Sequence, residues 1–350
     1  MMRFVWRWLK RGAGALVLLV VLLLAPIGYV EIACTGDTAV VEYQPIIADL
    51  EWRRAKSRTL LTYPEWHIVH AYDDYARVIL DGDPHDFGYV RAIAGFWTSL
   101  CPLTKRAAPM GGVTGDTKTT IYTIGVSFTA EMLAKAAYEE TLGRVATWFR
   151  GTPRAPLDDL SARQAKSYAE FLQQTPWYEW DFASDIEALE AGAGPGVRDW
   201  ERRMALGVEY SGKAAYAGVI AQAVEGVGVD ELRLRSLVTG LAVDALNSIE
   251  GVTVITTISE GIVIETDRYR AFTRIAQRLA NDGADFVEIA GNNEILFTAI
   301  SDSSSTSDAL YAFPRQGYGD FRYLILVPVT GLADRLRNLD GLLLEHVHDY

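Results

Sequence analysis

The stretch Val252–Thr266, VTVITTISEGIVIET, is where the chain stops reading as helix and begins to read as sheet. β-Branched residues crowd both sides of the turn Ser259-Glu260-Gly261. Branched Cβ atoms suit a pleated strand and glycine suits a tight turn, so the spacing predicts a β-hairpin.

Toward the carboxyl terminus the alternation continues. Asp267 caps a helix carrying Phe272, Ile275, Ala276 and Leu279, closed by Gly283. Phe286–Ala290 and Ile295–Ile300 read as strands around Gly291-Asn292-Asn293, a strong turn signal. Ser301–Asp308 is low in complexity; Tyr323–Val329 is a strand, Gly331–Leu339 a helix and Leu342–His348 a last strand. A helix capped by Asp230, with the stripe Leu234, Leu237, Val238, Leu241, Ala245 and Ile249, precedes the hairpin. Strand–helix–strand–strand–helix–strand is the order of a ferredoxin-like unit, here with its first strand doubled into the hairpin.

Toward the amino terminus, helical signals run from Ala48 to Gly228. Tyr63–Leu80 opens near Pro64, and Phe87–Ala107 carries apolar residues at helical spacing. Phe128–Arg150 reads as one amphipathic helix with Met132, Leu133, Ala136, Leu142, Val145 and Phe149 on its buried side. Ser161–Gln174 and Val197–Glu225 are further helices, and the aromatic patch Trp177, Tyr178, Trp180 and Phe182 reads as core beneath a helix junction or as an exposed binding surface.

Ahead of all this lies Ala13–Val30, an uncharged run preceded by Arg3, Arg7, Lys10 and Arg11. Its length matches a hydrocarbon core of about 30 Å, and basic residues resist translocation. It therefore reads as an uncleaved signal-anchor of the cell inner membrane, with the amino terminus cytoplasmic and the bulk periplasmic. A cleaved signal peptide or a lipidated Cys34 are the competing readings. The expected fold class is α+β and predominantly helical. A basic tail covers 1–12 and a transmembrane helix 13–33; a helical extracytoplasmic domain covers 34–228 and a smaller ferredoxin-like α+β domain 229–350.

A formal charge of −12 over 350 residues repels phosphate backbones and argues against a nucleic-acid partner. In an oxidising compartment the two cysteines, Cys34 and Cys101, pair or remain unrelated thiols; spacing alone leaves both open.

Chemistry is sparse. Tyr63, His67, His70 and Asp74 are spaced four, three and four apart, one stripe of a helix. Two imidazoles and a carboxylate one turn apart suit a divalent metal, or haem through the imidazoles. His346 and His348 alternate along the last strand and so share a face, which Tyr350 joins if the strand persists. If the two pairs converge, the metal reading gains weight. Gly112–Thr119 and Gly125–Thr129 only partly resemble a phosphate loop and a nucleophile elbow. Asp81–Asp86 lacks a bidentate glutamate at the twelfth position of a calcium loop, where Ala92 stands. No catalytic motif survives. The leading expectation is a membrane-anchored binding or assembly component of the envelope with protein partners rather than an enzyme. The alternatives are a metal- or haem-dependent enzyme using His67, His70 and Asp74, and a carrier of an apolar ligand such as lipid.

Overall fold

The helical signals become, in the computed structural model, a helical body; the structure describes residues 2–37, 43–224, 232–306 and 308–350. Helix α1 (Met2–Ala33) contains both the basic segment and the apolar run. Its last turn is held by protein: Glu31 accepts hydrogen bonds from Lys118 at 2.7 Å and from Tyr122 at 2.5 Å. Val30 and Cys34 are buried. Among the described residues no helix is long and apolar enough to cross a membrane. The transmembrane, single-pass reading is corrected on that ground.

Helices α2 (Arg58–Leu61), α3 (Tyr63–Asp81) and α4 (Tyr89–Ala107) follow, with Pro64 in the first turn of α3, where no N–H is needed. Then come α5 (Gly115–Tyr138), α6 (Arg144–Arg150), α7 (Pro156–Leu172), α8 (Phe182–Gly192) and α9 (Val197–Val224). The single helix expected over Phe128–Arg150 is instead α5 and α6 joined by a π turn, Glu139–Gly143. The wider turn breaks the 3.6-residue period. Met132 stays buried, but Leu142, Val145 and Phe149 are 62, 51 and 65 % exposed, so the expected stripe does not stay on one face. Of the aromatic patch, Trp177, Tyr178 and Trp180 are half-buried and Phe182 is buried, with Trp180 against Tyr168 and Phe171 of α7 and Trp177 against Tyr216 of α9.

The carboxyl-terminal part holds two antiparallel four-stranded sheets rather than one ferredoxin-like unit, which corrects the expected class. The first comprises β1 (Arg233–Thr239), β2 (Val252–Ile258), β3 (Gly261–Asp267) and β4 (Asp285–Ile289), in the order β2-β3-β1-β4. Short α10 (Val243–Asn247) and α11 (Arg270–Asn281) connect its strands. The second comprises β5 (Glu294–Ser301), β6 (Ala309–Pro314), β7 (Phe321–Pro328) and β8 (Leu343–His348), in the order β6-β7-β5-β8, with α12 (Val329–Arg337) before β8. The stripe expected as a helix from Asp230 is β1. Leu234, Leu237 and Val238 fit either period, and pairing with β3 and β4 decides for strand. Gly228 and Asp230 lie outside the described residues.

The second sheet is covered on both faces. Phe297, Ala299, Tyr323, Ile325 and Val347 pack with Phe272, Leu279, Phe286 and Leu332 in one core. Leu296 and Leu324, on the alternate positions, pack with Leu60, Tyr63, Trp66 and Phe96 of the helical body in another. Thr59 stitches the layers: its hydroxyl donates to His348 O at 2.7 Å and accepts from Leu296 N at 2.8 Å.

Cys34 and Cys101 are joined in a disulfide, Cα atoms 4.8 Å apart across 67 residues of chain. This bond ties the end of α1 to α4. Cys101→Ser is expected to lower stability by about 2–4 kcal/mol, seen as an earlier urea midpoint. An unmoved midpoint would contradict it.

Candidate functional site

Helix α3 presents Tyr63, Trp66, His67, His70 and Asp74 inward because they share one face, and all are buried. Across from them strand β8 presents His346 and His348. Between His346 and Leu344 the register to β5 shifts, with Thr298 opposite His346 and Ala299 opposite Leu344. Glu345 is the extra residue of this bulge, and a bulge re-aims a side chain that strict alternation would send to the other face. Its carboxylate reaches Arg322 of β7, which donates to it twice, at 2.5 and 2.6 Å.

The two histidine pairs thus come together, though not as the helix stripe alone would place them. His346 stacks on Trp66 with ring centroids 3.4 Å apart, and His348 lies 4.8 Å from His346 and 5.6 Å from Tyr63. His70 Nε2 stands 3.5 Å from Glu345 Oε2. His67 turns the other way: its Nε2 donates to Ala92 O at 2.9 Å, and its Nδ1 lies 3.4 Å from the Tyr63 hydroxyl. A Cβ on Gly95 would come within 2.7 Å of the His67 ring, so glycine is what lets α4 pass there. Tyr350 does not join. Strand β8 ends at His348, and Tyr350 packs in the opposite core.

Asp74 accepts from Gln316 N at 3.0 Å through Oδ2. Its Oδ1 has no hydrogen-bond partner among the described residues and lies 3.9 Å from Arg315 and 4.0 Å from Arg322. Burial raises its carboxyl to about 7, against the pull of Arg322 and Arg315. Burial also disfavours charge on Arg322, but the Glu345 carboxylate outweighs it and keeps the guanidinium charged. Asp74, His67 and Arg322 floor a cavity of about 200 Å³ between α3, α4 and the β6–β7 edge, walled by Tyr311 and Phe313 and rimmed by Arg91 and Thr98.

Behind the cavity the imidazoles are under-satisfied. His70 Nε2, His346 Nε2 and both ring nitrogens of His348 make no hydrogen bond among the described residues. Each such group costs roughly 1–3 kcal/mol when buried. As a metal centre the set is not preformed: among the described residues only Asp83, His85 and Asp86 bring three donor atoms within 4.8 Å of one another. There Asp83 is already held by Arg150, at 2.7 and 3.0 Å. Reading the sequence missed Glu345, because alternation puts it opposite His346, and Arg322, whose partners lie far along the chain. No family of known proteins, no curated protein and no solved structure matches the chain.

Burial pushes His67 from its ordinary 6.5 to about 4 and His348 to about 3, and holds His70 and His346 well below the ordinary value. The unfolded chain takes up these protons near pH 6.5 and the native chain does not, so this stability is present above 6.5 and lost as the pH falls toward 4. Asp74 opposes with one proton, since its raised value binds a proton in the native state between about 7 and 3.8. With chelator present, stability is expected to decline below pH 6.5. His348→Phe should flatten that slope by up to about 1.4 kcal/mol per pH unit. Chemical denaturation at half-unit pH steps reads it; parallel slopes would contradict the assignment.

Proposed function

We propose that this chain is a binding protein of an oxidising, extracytoplasmic compartment, and that its ligand is a small polar organic molecule seated between α3, α4 and the β6–β7 edge. The reading is carried by one combination: an aromatic wall, a buried carboxylate oxygen with no hydrogen bond among the described residues and a fixed guanidinium meet in a single cavity of about 200 Å³. A concave pocket with a few convergent polar groups, one of them shifted in pKa, is where binding concentrates in folded proteins. The volume is below the roughly 300–1,000 Å³ that encloses drug-sized ligands, which favours a small molecule over haem or a lipid chain. The Cys34–Cys101 bond supports the compartment, since such bonds persist where glutathione does not reduce them.

The ligand expected has a hydrogen-bond donor for Asp74 and an acceptor for the rim at Arg91. A panel of small amines, amino acids and hydroxy acids, screened by thermal unfolding, tests this. A ligand at a hundred times its Kd adds about 2.7 kcal/mol to stability. Ala94→Trp, an exposed position at the mouth, should abolish that shift while leaving the unliganded protein unchanged. A ligand donating to Asp74 should bind more tightly above pH 7 than below it, and Asp74→Asn should remove this dependence. A panel that shifts nothing, or a shift that survives Ala94→Trp, would refute the site. Alkylating free thiols in whole cells reads the compartment, and modified Cys34 and Cys101 would refute it.

A further inference from the structure

We propose that His70, His346 and His348 bind a divalent first-row transition ion, at a site separate from the ligand cavity and independent of what fills that cavity. Three observations carry it. The first is the donor set: four ring nitrogens on three residues, 5, 2 and 0 % exposed in chain order, make no hydrogen bond among the described residues. Buried polar groups in native folds are nearly always paired, and each of these three neutral imidazoles, on two facing elements, keeps one lone pair that a metal ion satisfies.

The second is the orientation of His346. The Thr273 hydroxyl accepts from Val347 N and lies 3.3 Å from Tyr269 O, where its hydrogen goes. With that hydrogen on Tyr269 O, His346 Nδ1, 3.0 Å from the same oxygen, is the donor of the pair and Nε2 keeps a bare lone pair. A hydrogen-bonded outer partner that fixes the tautomer is how ligating histidines are held. The third is freedom to close. No three donors of this set lie within 4.8 Å of one another now, but His348 has no ring hydrogen bond among the described residues to break when it turns. Its centroid is already 4.8 Å from that of His346. Glu345, 3.5 Å from His70 Nε2, is the adjacent carboxylate, and it also neutralises Arg322, the nearest fixed cation. Imidazole donors favour zinc, copper, nickel or iron over magnesium or calcium.

The full chain, purified without a polyhistidine tag and stripped with chelator, is titrated with Co²⁺ and followed by visible absorption and elemental analysis. One equivalent per chain is expected, with ligand-field bands that disappear in His70→Ala and His348→Ala and persist in His85→Ala. Thr273→Val, which keeps the ligands, should weaken binding about 10–100-fold and carries the test should the histidine variants fail to fold. Absence of stoichiometric Co²⁺ in the wild-type chain would overturn the proposal. Equal affinity in Thr273→Val would do the same, as would loss of binding in His85→Ala, which would move the ion to Asp83–Asp86.

Discussion

Covering the second sheet on both faces is the constraint from which the site follows. One face, through Phe297, Tyr323 and Val347, closes the core shared with the first sheet. The other, through Leu296 and Leu324, receives α2, α3 and α4. A strand buried on both sides has no face left for water, so every polar side chain on it must find its partner within the protein. Arg322 and Glu345 do so with each other. The histidines of β8 do so only in part: among the described residues His346 Nε2 and both ring nitrogens of His348 make no hydrogen bond.

The same rule acts in the helical body, with a different outcome. Arg198 and Arg202 of α9 are almost fully buried and are met by Asp158, Glu201 and Glu139 at 2.7–3.1 Å. Lys135 and Lys213 meet Glu209 and Glu131 at 2.9 Å. Removing one partner of such a pair strands a buried charge, which costs about 3–5 kcal/mol. These networks latch α5, α7 and α9 together. Even so, among the described residues Arg198 Nη2, Arg202 Nη1 and Glu139 Oε2 are buried without a hydrogen bond.

Much of the layout was legible because it is local. The hairpin at Ser259–Gly261 follows from β-branched runs and a glycine whose φ of 151° other residues rarely adopt. Helices α3 and α4 follow from apolar spacing and Pro64. The stripe of His67, His70 and Asp74 does share a face, since helical periodicity requires no tertiary information. Strand β6 was not legible: in ALYAFP burial follows its pairing with β7 rather than a pattern of its own. The extent of β1 depended likewise on β3 and β4.

By itself the sequence determined which residues could face one another along a helix or strand, and that two cysteines and two histidine pairs were present to be used. Only the tertiary structure decided which of them meet. The bulge at Glu345 reversed the face that alternation assigns to it. Gly95 let α4 draw His67 away from His70. The π turn at Glu139–Gly143 moved Leu142 and Phe149 to the surface, and the end of α1 was bound to the helical body through Glu31 and Cys34. The physical reason is common to all four. Each turns on a contact between residues far apart in the chain, or on a one-residue change of register, and a periodic pattern carries no record of either.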